Sequence, residues 1–167
     1  MPYILSIVGK SNSGKTTLIE RLIPLLAERG YRVATIKHNR HGFEIDHEGK
    51  DSWRHRRAGA VTTVIASPHT VAVIEDSNRD YDIQELVDRF IRDADFVLVE
   101  GFKENPFPKI EVSLAATHHG LICLNDDTLI AIATDRHLDD VPVLCYDIND
   151  VPALADLMER RFKPTKT

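Results

Sequence analysis

The octapeptide GKSNSGKT, Gly9 to Thr16, constrains this chain more than any other stretch. It matches G-x-x-x-x-G-K-[ST], and its setting is the one that pattern requires, with an apolar run directly before it and an amphipathic run directly after it. The preceding YILSIV, Tyr3 to Val8, suits a fully buried parallel strand. The following TTLIERLIPLLAERG places Leu18, Leu22, Leu25 and Leu26 at helical spacing, with Ile19 and Ile23 widening the stripe and Gly30 as a stop. Pro24 inside that run predicts a kink. Glycines are needed because the backbone must turn sharply and come close to phosphates with no Cβ in the way. From Gly9 through Lys10, Ser11, Asn12, Ser13, Gly14, Lys15, Thr16 and Thr17, successive N–H groups at a helix N-terminus then present partial positive charge to a phosphate. Lys15 is expected to reach the β- and γ-phosphates, and the Thr16 hydroxyl to ligate Mg²⁺. The motif therefore specifies a nucleoside triphosphate and Mg²⁺, but neither the base nor the reaction.

Further along, YRVATIK reads as a second strand, and Lys37 to Lys50 as a polar, His-rich loop. Asp51 or Ser52 can cap a short helix ending near Gly59. VTTVIA and TVAVIE are β-rich runs joined tightly at Ser67-Pro68-His69. Asp82 to Glu85 fits a capping box, opening a helix with Leu86, Val87, Phe90 and Ile91 on one face. A strand over Asp95 to Val99 follows, then KIEVSL, LICL, LIAIA and VPVLCY as short strands, with Asn125-Asp126-Asp127 as a turn. A last helix is expected from about Asp150 to Arg161, before a loose tail KPTKT. Alternation of strand and helix argues an α/β fold with a mainly parallel sheet flanked by helices, one nucleotide-binding domain over residues 1–167.

Composition excludes little but usefully. With 43% hydrophobic and 28% charged residues, 167 residues can bury a core. A formal net charge of -5 gives no whole-surface sign of nucleic-acid binding. No segment approaches a membrane span, and the apolar N-terminus is short, lacks a basic leader and reads as a strand. Cys123 and Cys145 sit in apolar runs without CxxC spacing, as buried reduced thiols of a cytoplasmic protein would.

Three other places carry candidate chemistry. Glu100, in DFVLVEGFK, ends an apolar strand; a strand neighbouring the first would deliver it beside the glycine loop. There it could hold Mg²⁺ through a water or orient an attacking water, or it could be a helix cap or surface acid. The loop from Lys37 to Arg57 mixes Lys37, Arg40, Lys50, Arg54, Arg56 and Arg57 with Glu44, Asp46, Glu48 and Asp51. It could bind an anionic second substrate, close over a triphosphate, hold a metal through His38, His41 and His47, or be a plain solvated loop. Trp53 reads as an anchor for the short helix. Asp135, ending a strand in IATDRH, could accept from guanine N1 and N2 or cap a turn.

With the glycine loop, TIKHNRH, DHEGKDS, RRAGA and LVEGFK in that order, the chain resembles the molybdopterin-guanine dinucleotide biosynthesis protein B family (MobB) over residues 3 to 137. That resemblance implies a GTP-binding accessory protein with at most weak GTPase activity, in which Lys15 and Glu100 serve catalysis. It implies a place in molybdenum cofactor maturation beside a MobA-like guanylyltransferase that joins GMP to molybdopterin, with molybdopterin itself a possible ligand. A homodimer is implied too, with strands shared across the two-fold axis, which fits the extra β-runs from Val61 to Glu75. Beyond Gly9, Gly14, Lys15 and Thr16, the positions carried over are Lys37, His38, His41, Asp46, Lys50, Asp51, Arg56, Glu100, Lys103 and Lys109. Asp46 joins Thr16 and Glu100 as a metal candidate. Lys37, His38, His41, Lys50, Asp51, Arg56 and Lys103 are candidates for a second substrate or partner. The segment ATHHGLICLNDD matches no motif of the family. A different class, a small-molecule kinase using ATP, shares the loop and helix, and a pure interaction protein with a structural nucleotide shares both as well.

Overall fold

The computed structural model describes residues 1–39, 42–117 and 120–161. The chain divides into two units, Met1–His38 with Ile83–Thr167, and Asn39–Asp82. The first contains β1 (Tyr3–Val8), α1 (Lys15–Glu28), β2 (Val33–Lys37), α3 (Ile83–Phe90), β5 (Phe96–Glu100), β6 (Lys109–Ser113), β7 (Leu129–Thr134), β8 (Leu144–Asp147) and α4 (Val151–Arg161). The second contains α2 (Asp51–Arg57), β3 (Thr62–Ala66) and β4 (Val71–Glu75).

β1 reads as an apolar run, with Ser6 its one small polar residue, because both of its faces are covered and both of its edges are paired. It lies between β5 and β6 in an all-parallel sheet of order β2-β5-β1-β6-β7-β8. Its odd positions, Leu5 and Ile7, pack with Phe96, Leu98, Ile110 and Val112 under α1 and α4. Both helices bury their apolar stripes there, Leu18, Leu22 and Leu26 of α1 and Leu154, Ala155 and Met158 of α4. Arg29 ties the two together by ion pairs to Asp156 (2.7 Å) and Glu159 (2.8 Å). α1 runs from Lys15 to Glu28 with Pro24 inside it. Ile4 faces the other way, joining Val97 and Val99 under Ile83 and Val87 of α3. The chain thus winds from β1 to β2 on one side and returns past β1, from β5 to β6, on the other.

In the second unit α2 is preceded by Lys50, not by a capping Asp51 or Ser52. The Ser52 hydroxyl instead donates to Asp46 Oδ1 (2.9 Å), which ties the helix to the preceding loop. Trp53 is half-buried, with the Arg57 guanidinium 5.4 Å from its ring centre. β3 and β4 form an antiparallel hairpin that joins no other strand among the described residues.

Helices do not cover the whole second face of the main sheet. Over β6 and β7 the cover is loop, with Leu121, Ile122, Cys123, Leu138, Val141 and Val143 packed on Val8, Leu129 and Ile132. Here the expectation that LICL forms a strand fails: residues 121–124 have no strand pairing. Its backbone goes to a side chain, since Glu111 accepts from the N–H groups of Ile122 (2.7 Å) and Cys123 (2.9 Å). The alternation in KIEVS would suit a strand with one wet face, yet all five residues are buried because this loop supplies partners for the polar ones. Lys109 donates to the Asn105 carbonyl (2.6 Å) and to the Thr128 hydroxyl, and pairs with Asp126 (3.0 Å). Burial raises the Glu111 pKa above its usual range, against the two N–H bonds and the nearby Lys103 and Lys10 charges. Burial also pushes the Cys123 thiol up to about 11. Cys145, expected to be buried, is exposed, because β8 is an edge strand. We expect Glu111→Ala to orphan one buried and one half-buried N–H donor and cost about 2–4 kcal/mol in chemical denaturation. Glu111→Gln, which keeps one acceptor, should lose less than half of that.

Candidate functional site

β1 ends at the central carboxyl edge of the sheet, and the glycine loop begins there. Gly9 has φ +142°, and a Cβ at that position would lie 2.4 Å from the Val112 carbonyl oxygen. Neither the dihedral nor the space admits a side chain. Asn12, with φ 60°, takes the one left-handed turn a non-glycine residue makes in the loop. Gly14, φ +91°, precedes α1, so the free N–H groups of the first turn open onto the loop. The Lys15 ammonium donates to the carbonyls of Gly9 (3.1 Å) and Lys10 (2.6 Å), spanning the loop that it is meant to serve. Burial lowers its pKa; the Glu100 charge opposes that and the Lys37 charge adds to it. Ser13 is buried with its hydroxyl unpartnered, while Lys10, Ser11, Asn12 and Thr17 are exposed.

Strand order puts β5 next to β1, with Ile7 opposite Glu100. The Thr16 hydroxyl donates to Glu100 Oε1 at 3.0 Å, and Lys37, ending β2 in register with Glu100, brings its ammonium to 3.4 Å from the same oxygen. A hydroxyl oxygen and a carboxylate side by side, with the hydroxyl proton already directed at the carboxylate, leave the Thr16 lone pairs open to a hard cation. The donor set suits Mg²⁺, with Thr16 holding it and Glu100 behind, and Lys15 suits the phosphate charge. Gly101, φ +93°, turns the chain away from β5 close to the His38 carbonyl. His38 stacks on Phe102 at 3.9 Å, a pairing that sequence inspection had not singled out.

The remaining candidates fall into separate settings. Lys103 is exposed beyond β5. Asp135, at the end of β7, accepts from the Ala115 N–H at 2.7 Å and so caps a turn. Lys109 is structural, wholly buried against its loop. Asp46, Lys50, Asp51 and Arg56 belong to the second unit. There Asp46 Oδ1 takes Ser52 and the His47 N–H, and Arg56 pairs with Asp76 at 2.7 Å. Thr16 and Glu100 are brought together as predicted neighbours. The His38, His41, His47 metal reading depends on His41, which is not among the described residues. Arg40 and His41 lie outside the described residues. Lys37 as the second contact of Glu100 could have been found from sequence only by pairing strand ends, which requires the strand order.

An all-parallel sheet whose central strand feeds such a loop into a helix defines a P-loop nucleotide-binding protein. The family model described as molybdopterin guanine dinucleotide synthesis protein B matches residues 4–135. A molybdopterin-guanine dinucleotide biosynthesis adapter protein of Haemophilus influenzae is 40% identical over 157 residues, 93% of this chain and 87% of that one. The protein of the same name from Escherichia coli K12 is 39% identical over 159 residues, 93% and 90% of the two chains. A crystal structure of molybdopterin-guanine biosynthesis protein B superposes with a TM-score of 0.73 at 32% identity, covering 96% of this chain and 99% of that one. The chain belongs to the molybdopterin guanine dinucleotide synthesis protein B family.

Gly9→Ala is expected to displace the loop from Val112 and forfeit one or two charge-assisted bonds to phosphate, lowering triphosphate affinity about ten- to a hundredfold. Titration calorimetry beside a circular-dichroism melt would separate that loss from unfolding.

Proposed function

We propose that this chain is a GTP-binding adapter of molybdopterin guanine dinucleotide synthesis, holding Mg²⁺·GTP on Gly9 to Thr17 and hydrolysing it slowly if at all. The observation that carries the reading is the Thr16–Glu100–Lys37 cluster at the mouth of the glycine loop. In this role Thr16 ligates Mg²⁺, Glu100 positions the metal's water shell, Lys15 meets the β- and γ-phosphates, and Lys37 balances the carboxylate when no metal is near. Bound Mg²⁺ supplies charge neutralisation for the triphosphate. Names borne by the relatives support the pathway. The partner in this reading is a MobA-like guanylyltransferase, met in the cytoplasm, and His38, Lys50, Asp51, Arg56 and Lys103 serve it or the molybdopterin. Family membership favours the adapter over a small-molecule kinase using ATP.

The working form in this reading is a homodimer. A two-stranded hairpin is marginal on its own. This one exposes Val64 (60%) and Val73 (50%), directly opposite each other on one face, with Val61 (79%) and Val71 (65%) near its ends. A second copy of the chain that packs on that face and adds strands to the hairpin would cover the valines and pair its free edges.

Equilibrium binding of GTP and ATP with and without Mg²⁺ tests the nucleotide. The wild type should prefer GTP and need Mg²⁺, and Lys15→Ala should lose both; unchanged Mg²⁺·GTP affinity in that variant sinks the reading. Replacing Val64 and Val73 together by Asp should give a folded monomer in sedimentation velocity where the wild type sediments as a dimer.

A further inference from the structure

A triphosphate whose phosphates lie in the glycine loop can send its base either way along the carboxyl edge of the sheet. Toward β5 and β2 that edge is taken by Glu100, Lys37 and the His38–Phe102 stack. Toward β7 and β8 the ends of the two strands and the residues after β7 form an open cleft of about 290 Å³, lined by Thr134, Asp135, Arg136, Leu138, Tyr146 and Asp147 among others. The turn that follows β8 packs against the start of the phosphate loop's helix. Ile148 sits against Gly14, where a Cβ would be 3.5 Å from its Cδ1. Arg21 of α1 donates to the Asn149 carbonyl (3.0 Å) and side chain (3.2 Å), fixing the turn after Asp147 to the helix that starts at the loop.

We propose that this cleft is the base subsite, and that Asp147 together with Asp135 selects guanine; the inference rests on the GTP reading above and adds Asp147 as a specificity-determining residue. The two carboxylates are similarly placed and similarly employed. Asp135 Oδ1 accepts from the Ala115 N–H (2.7 Å) and Asp147 Oδ1 from the Asn149 N–H (2.8 Å). Each side chain is thereby held by its own backbone turn, and each keeps one oxygen with no hydrogen bond among the described residues. Guanine presents N1–H and the N2 amino group on one edge, donors that match two carboxylate acceptors. Adenine presents the N1 lone pair there, which a carboxylate repels. Leu138 and Tyr146 give apolar surface for the ring, and Arg136, bonded to the Ser113 hydroxyl at 3.4 Å, offsets the paired negative charge.

Asparagine is the decisive substitution at both positions. Its oxygen can keep the turn bond while its NH₂ replaces the free oxygen, turning an acceptor for guanine into a donor that suits the 2-oxo group of xanthine. Dissociation constants of Mg²⁺ complexes of GTP, ITP, XTP and ATP should be measured for wild type, Asp135→Asn, Asp147→Asn and Lys15→Ala. We expect the wild type to prefer GTP over ITP and ATP. Each Asn variant should lose about tenfold or more for GTP and gain for XTP with ATP unmoved, from the exchange of one charge-assisted bond. If GTP is preferred and Lys15→Ala abolishes binding, yet Asp147→Asn keeps the wild-type order of the four nucleotides, Asp147 does not read the base and the inference is overturned. If the wild type binds ATP as tightly as GTP, the GTP reading itself fails and takes the inference with it.

Discussion

The contact on which the remainder of this molecule depends is the approach of Gly9 to the carbonyl of Val112. β1 is held between β5 and β6, and its last residue must turn while a neighbouring strand passes within van der Waals distance. Only a residue without Cβ can make that turn, and once it is made the loop has one course, ending at Gly14 with α1 pointing its free N–H groups into the loop. The core follows from the same arrangement. α1 leaves the loop across one face of the sheet, where α4 meets it, and Leu22, Leu26 and Leu154 close that face completely.

The opposite face shows how much a loop can do in place of a helix. β6 turns Lys109, Glu111 and Ser113 toward it, three polar groups that a solvated strand would leave wet. Burial there is tolerable because each one meets a partner: Lys109 the Asn105 carbonyl and Asp126, Glu111 two N–H groups, Ser113 the Arg136 guanidinium. Asp126 is drawn down to about 2 by the Thr128 hydroxyl, helped by Lys109, so its contribution to stability is complete above the ordinary carboxylate range and fades as pH falls toward 2. Val112, whose carbonyl crowds Gly9, belongs to this strand. The polar underside of β6 is therefore part of what holds the phosphate loop in place.

At the site itself the charges form a short chain across the sheet edge. Lys15 reaches the loop carbonyls, Glu100 takes the Thr16 hydroxyl, and Lys37 closes on Glu100 from the far side. Three neighbouring parallel strands, β1, β5 and β2, each contribute one end to it. The second unit presents a different character, with an exposed valine hairpin and a charged helix whose Arg56 is bound to Asp76.

Much of this was written in the linear sequence. The octapeptide at Gly9, the strand before it and the helix after it are local: spacing and side-chain type settle them, because backbone turn, phosphate cradle and helix start occupy consecutive residues. Glu100 at the end of an apolar run was legible for the same reason, as was the hairpin from Val61 to Glu75. What only tertiary structure decided are the pairings between distant segments. That Glu100 meets Thr16 and Lys37 depends on strand order, which no local pattern encodes. LICL has a strand's composition, yet it forms a loop because Glu111, buried beneath it and eleven and twelve residues before Ile122 and Cys123, claims the N–H groups of those two. Asp147 was invisible as a candidate since nothing in YDIND distinguishes it until β8 lies beside β7 and places it across a cleft from Asp135. Local chemistry is carried by neighbours in sequence; which distant groups share one sheet edge is decided only when the long-range burial of β1, β5, β6 and β7 selects a single order of strands.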